Sequence, residues 1–151
     1  MTNVMRYRYG EENPRLFAVD SSTVIEIGDL LWLDTDDVKP ASDLTWNTDL
    51  ATTQADFAAK FAGVAMQASA DGETDEVRVA TTAIFEFVCD AATFEVGDKI
   101  NCAKQTGNAL ENQKVAAVTN NPIGKVAKRE PSNSTSVLVE IRASVVPSPS
   151  S

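Results

Sequence analysis

Residues 25–34 read IEIGDLLWLD, and 69 positions later residues 94–103 read FEVGDKINCA. An apolar strand interrupted by Gly-Asp and then resumed suits a tight hairpin turn. Glycine accepts positive φ without steric cost, and aspartate hydrogen-bonds its own nearby backbone. Gly28, Asp29, Gly97 and Asp98 are therefore assigned as structural turns. The correspondence extends to both sides: Ile25 aligns with Phe94, Glu26 with Glu95, Ile27 with Val96, Leu31 with Ile100 and Leu33 with Cys102. Farther on, Gly63-Val64-Ala65 answers Gly124-Lys125-Val126-Ala127, and Val77-Arg78-Val79 answers Val137-Leu138-Val139. The offset falls from 69 at the first pair of glycines to 61 at the second, so the first half holds about eight extra residues there. Four matches in one order point to duplication, and two copies are too few for a solenoid. They suit a mainly β fold, a small sandwich or barrel in which each half covers the other's apolar face, with one short helix inserted in the first half.

Apolar alternation and short apolar runs place strands at 15–19, 24–27, 30–33, 63–67, 76–81, 83–88, 94–96, 99–102, 114–118, 123–128 and 136–142. The exception is TTQADFAAKFAGVA. Its alanines favour helix, Phe57 and Phe61 lie four apart on one face, and Thr52 or Thr53 can cap the start, which predicts a helix over about 53–61. A chain of 151 residues is one domain by length and buries enough surface to form a core without staples. The organisation expected is an N-terminal arm at 1–15, a single β-domain at 16–143 with repeats at about 16–88 and 89–143, and a disordered tail at 144–151 that ends Pro-Ser-Pro-Ser-Ser.

Charge narrows the partners. Thirteen basic against 22 acidic residues leave −9, which repels phosphate backbones, and no basic stripe interleaved with aromatics offsets it; nucleic acid is not an expected partner. The apolar stretches are far shorter than the ~20 residues needed to span a bilayer, and the N-terminus lacks the pattern of a secretion signal, so no membrane partner is expected. Histidine is absent, which removes Ser/His/Asp and Cys/His arrangements together with the commonest transition-metal ligand. Cys89 and Cys102 lack paired C-x-x-C spacing and read as buried hydrophobic thiols, with a disulfide between them left open. DGETDE at 71–76 clusters four carboxylates but lacks the alternating ligands of a calcium loop, so it reads as a solvated turn; DTDD at 34–37 reads as the loop leaving the first hairpin. Glu26 and Glu95, related by the repeat, are an acid and base pair in principle, but alternation makes them solvent-facing strand residues. No Gly-rich phosphate cradle occurs. No catalytic, cofactor or metal residue is assigned, and no cofactor is expected.

Two segments suggest contacts instead. Trp32 and Trp46 divide most economically into one buried and one interfacial ring, and Leu31, Trp32 and Phe61 are the candidates for an oligomer interface. Near the start, Arg6, Tyr7, Arg8 and Tyr9 alternate, and residues 1–15 carry +1 against −10 for the rest. Arg and Tyr often dominate interfaces, and an extended alternating segment suits addition to a sheet edge; a solvated start is the other reading.

The succession VIEIGDLLWLDTDDVKPASD, AAKFAGVAM, TFEVGDKI, GNAL and PIGKVAKREPSNSTSVLVEIR, over about residues 16–143, resembles the small capsid-decoration, or cement, proteins of tailed bacteriophages. The resemblance implies a mainly β, non-enzymatic virion protein on the outer face of the capsid, commonly trimeric, at or near threefold and quasi-threefold axes. Its implied partners are the major capsid protein and further copies of itself in a homotrimer. Arg6, Tyr7, Arg8 and Tyr9 would then be the capsid-binding strand. The Phe-bearing helix and the longer N-terminal arm depart from many members. Two alternatives stay open: a phage tail or baseplate component of similar acidic, β-rich composition, and a carbohydrate-binding β-module using Trp32 and Trp46. A hydrolase stands behind both for want of histidine and a nucleophile motif.

Overall fold

The order of strands repeats. A computed structural model describes residues 6–9 and 14–145. Its first half builds β2 (Pro14–Phe17), β3 (Leu30–Asp34), β4 (Asp37–Pro40), β5 (Phe61–Ala65) and β6 (Val77–Ala80). The second half builds β7 (Thr82–Phe94), β8 (Lys99–Lys104), β9 (Leu110–Ala117), β10 (Gly124–Val126) and β11 (Glu130–Arg142). Hydrogen bonding orders the first set β2-β6-β5-β3-β4 and the second β7-β11-β10-β8-β9. Parallel pairing of β7 with β9, Val88 with Lys114 and Cys89 with Val115, closes the second set into a five-stranded barrel. At the matching place in the first, a single parallel bridge joins Ala18 to Asp37, and Val38 donates its N–H to Ala18 O at 3.0 Å. Strand for strand the two rings correspond, so the fold is mainly β and duplicated. One further strand, β1 (Arg6–Tyr9), lies antiparallel along β7 at Ile84 to Glu86, on the side that β7 gives to β9 farther along.

Both Gly-Asp turns are built alike. The Asp29 N–H reaches Glu26 O at 3.1 Å and the Asp98 N–H reaches Glu95 O at 3.1 Å. Each aspartate then accepts the glutamate N–H on Oδ2 at 2.9 Å. Gly28 and Gly97 supply φ values of +99° and +92°. These turns are not hairpins, however. Ile25 bridges Ser69 and Leu30 pairs with Val64, so the chain on both sides of Gly28 runs antiparallel to one partner segment. The stretch 24–27 accordingly forms only the bridge at Ile25, and of 94–96 only Phe94 is in a strand.

Other boundaries move for local reasons. Helix α1 is Leu50–Ala59 because Asp49, not Thr52 or Thr53, caps it, its carboxylate accepting the Thr52 N–H at 2.8 Å, and Phe61 already opens β5. Strand β4 escaped the periodicity because Asp37-Val38-Lys39-Pro40 offers too short an apolar signal. The repeat boundary falls between β6 and β7, near Thr81 rather than after Val88, because β7 belongs whole to the second barrel. Arg15 pairs with Val79, so it belongs to the first barrel and not to an arm. Ser144 and Val145 both donate to Phe61 O, which carries the ordered body through 145; the rest of the expected tail lies outside the described residues.

Core packing welds the barrels. Inward residues of the first, among them Ile25, Leu31, Val38, Ala65, Val77 and Val79, form one cluster. Leu30, Trp32, Val64 and Ala80 belong instead to a second cluster, with Phe57, Phe61 and the interior of the second barrel: Phe85, Ile100, Cys102, Val115, Val126, Val137 and Val139. Burying each large side chain there contributes about 1.5–3 kcal/mol. No helix among the described residues is long and apolar enough to cross a membrane.

Candidate functional site

The expected oligomer interface does not reach the surface. Leu31 and Phe61 are fully buried, and Trp32 is 6% exposed with its indole N–H donated to Pro40 O at 3.0 Å. All three serve the chain's own core, because β3 is a central strand with its Trp32 side turned toward the second cluster. Lys39 and Lys60 stand 5.8 and 5.5 Å from the Trp32 ring, so no sugar can stack there. Trp46 is half-buried, with Lys104 5.7 Å from its ring centroid. The two rings therefore form no shared platform for a glycan. Arg6, Tyr7, Arg8 and Tyr9 do run as an edge strand, but along this chain's own β7, with Arg6 opposite Glu86 and Tyr7 opposite Phe85.

Glu26 and Glu95 are exposed as expected, but in turns rather than strands; Arg129 Nε lies 3.0 Å from Glu95 Oε1. Asp29 is different. It is buried, and besides the Glu26 N–H it accepts a hydrogen bond from Gln113 Nε2 at 2.9 Å on Oδ1. Burial pushes its carboxyl above the ordinary value, and the bonds from Glu26 and Gln113 oppose that rise without cancelling it. Gln113 also donates to Ile27 O at 3.2 Å, so this one side chain of β9 ties the second barrel to the first Gly-Asp turn. Such a carboxyl, cross-braced and closed to solvent, is structural. Cys89 and Cys102 are both free and buried, and burial raises both thiols, Cys102 strongly. The carboxylates of 71–76 lie on an exposed loop where Gly72 N–H donates to Ser21 O and Ala70 N–H to Glu73 Oε1. Among the described residues, no three potential ligands converge as a metal site would require.

The surface itself is the candidate site. Large apolar side chains stand out at Leu16 (58% exposed), Val24, Ile27 and Val96 (66%). Ile27 and Val96 are repeat equivalents, each at the tip of a Gly-Asp turn. Charge is segregated by barrel: residues 14–81 hold 13 carboxylates against four basic residues, whereas residues 82–145 hold seven against seven. The net charge of the two barrels therefore sits on the first. That asymmetry was present in the sequence but invisible to a whole-chain total, and it needed the repeat boundary to be placed. No family model and no curated protein matches the chain.

Proposed function

We propose that the protein is a non-enzymatic decoration, or cement, protein of a tailed bacteriophage, seated as a homotrimer on the outer capsid face against the major capsid protein. One observation carries this reading: the order of the two Gly-Asp turns and two Gly-led strands, on which the resemblance rests, marks equivalent points of two barrels. A body of two matched β rings, with apolar turn tips and net charge concentrated on the first, suits binding by area. A trimer spanning capsid junctions adds buried surface there, and whatever binds only the assembled shell stabilises it by mass action. The test is cosedimentation with decoration-free capsids, followed by heating. Saturable binding and a higher rupture temperature are expected; no binding removes the reading. Because the backbone of Arg6–Tyr9 is already paired on its inner edge, removing residues 1–9 separates the arm from the barrels. A marked fall in binding assigns the capsid contact to Arg6, Tyr7, Arg8 and Tyr9, and equal binding assigns it to the barrels.

A further inference from the structure

The two barrels differ most along one matched row. In the first, Leu30 pairs with Val64 and Val64 with Ala80, and all three are completely buried in the cluster shared with the second barrel. In the second, the same register gives Lys99, Lys125 and Glu140, all exposed. The face that docks one barrel on the other thus recurs on the second barrel with its apolar residues exchanged for charge. Beside it lies an open depression of about 630 Å³ lined by Ile123, Lys125, Glu140, Ile141 and Arg142.

The receiving side has a counterpart too. Within the chain, β9 receives the first barrel: Asn112 Oδ1 accepts the Ser42 N–H at 2.7 Å, and Gln113 holds Ile27 and Asp29. The pair Leu33–Val38 corresponds to Cys102–Val115, and the bridge Ala18–Asp37 to Val88–Lys114. The positions matching Asn112 and Gln113 are therefore Thr35 and Asp36, at the tip of the β3–β4 hairpin between Asp34 and Asp37. The first barrel thus carries an exposed acidic hairpin tip, and the second carries lysines beside a hollow.

We propose that a second copy of the chain seats its 34–37 hairpin against the Lys99 and Lys125 face and the adjoining hollow, continuing head to tail the contact the two barrels make within one chain. Charge complementarity selects a copy: three carboxylates against Lys39 leave −2 on the tip, while Lys99, Lys125 and Arg142 against Glu140 leave +2 on the face. The match is electrostatic and does not reproduce the internal bonds, since Asp36 cannot donate as Gln113 does. Such a contact is heterologous and closes into a ring where the rotation permits, a homotrimer being one closure. It gives the proposed oligomer its interface, yet it rests on the surface of the free chain and not on capsid binding.

Sedimentation equilibrium of the full chain from micromolar to millimolar concentration tests it. The long-range repulsion of −9 copies makes one fixed, low ionic strength necessary for every comparison. Wild type should self-associate reversibly. Lys99→Glu with Lys125→Glu, and separately Asp36→Lys with Asp37→Lys, should each weaken association by at least about tenfold. Combining all four substitutions in one chain, or mixing the two variants, should restore it, which a misfolded variant could not do. Wild type that stays monomeric throughout, or association unchanged by Lys99→Glu with Lys125→Glu, overturns the proposal. Neither result alters the capsid cosedimentation, so the two readings fail separately.

Discussion

Gly63 marks the place where β5 passes too close to β6 for any side chain. A Cβ there would run into Ala80 C=O and Val79 Cγ1, and its φ of +135° already disfavours an L-residue. Gly124 meets the equivalent pair, Glu140 C=O and Val139 Cγ1, without positive φ, whereas Gly97 has open space and only its φ of +92° to protect. Alanine at Gly97 should therefore cost about 1–2 kcal/mol from backbone strain alone. Alanine at Gly124 should cost more, and at Gly63 most, above about 3 kcal/mol. Urea denaturation ranks the three, and equal losses would show that close approach is not the cause. Asp29 and Asp98 offer the matching electrostatic comparison. They make one turn, yet only Asp29 lies under the second barrel, and its folded carboxyl is raised by burial. A raised carboxyl pKa disfavours the folded state while the group is ionised, so this residue's contribution to stability grows as pH falls through the raised value and is complete below the unfolded one. Wild type should thus gain stability relative to Asp29→Asn as pH falls from neutrality toward the ordinary carboxylate value of 3.8, the direction set by that upward shift. A constant difference between the two melting curves would show that Asp29 is not desolvated.

Helix α1 shows how an insertion becomes part of a duplicated fold. Gln54 Nε2 donates to Cys102 O at 2.7 Å, and buried Asn101 donates to Gln54 O at 3.0 Å and to Asn121 O at 2.7 Å while accepting the Cys102 N–H. Asn101 stands where the first barrel has Trp32, so a polar residue at that position bolts the helix to the second barrel. Asn101→Ala leaves these backbone groups bare in a closed site and should cost about 2–4 kcal/mol in chemical denaturation. A loss under about 0.5 kcal/mol would mean that water replaces the amide. The helix was readable from Ala55, Ala58 and Ala59, although Phe61, counted on its face, opens β5 instead, and the Gly-Asp turns were readable because two copies corroborated each other. What could not be read were features that depend on the partner side. A strand at 30–33 necessarily turns Leu30 and Trp32 to the face opposite Leu31, but its unbroken apolar run LLWL did not tell whether that second face met water, another copy or the other barrel. The Leu31, Trp32 and Phe61 interface failed for that reason. The hidden signal was comparative: the apolar row Leu30, Val64 and Ala80 against the charged row Lys99, Lys125 and Glu140 at equal register.

Two rings with the same strand order need not be two folding units, and the distribution of their cores argues that they are one. The first barrel has an interior cluster of its own, built around Leu31, Val38, Val77 and Val79. The second shares its interior with residues of the first half: Leu30, Trp32, Phe57, Phe61, Val64 and Ala80 are all buried among its apolar side chains. Cutting the chain near Thr81 would expose those six from one piece and remove a wall of the core from the other. It would also break the Gln113 bonds to Ile27 and Asp29 and the Ser144 Oγ bond to Ala58 O at 2.6 Å. At about 1.5–3 kcal/mol for each large apolar side chain returned to water, the loss from Leu30, Phe57, Phe61 and Val64 alone rivals the whole 5–15 kcal/mol stability of an ordinary domain. The intact chain should therefore melt in a single transition, with calorimetric and van't Hoff enthalpies equal. A fragment of residues 82–151 should lack a cooperative transition alone, and a fragment of residues 1–81 should keep strand signal but aggregate through its uncovered face. Mixing the two from denaturant should recover the native melt. A second-half fragment that melts cooperatively by itself would show that the second barrel closes its core unaided, and that its junction with the first is a docking contact rather than a shared interior.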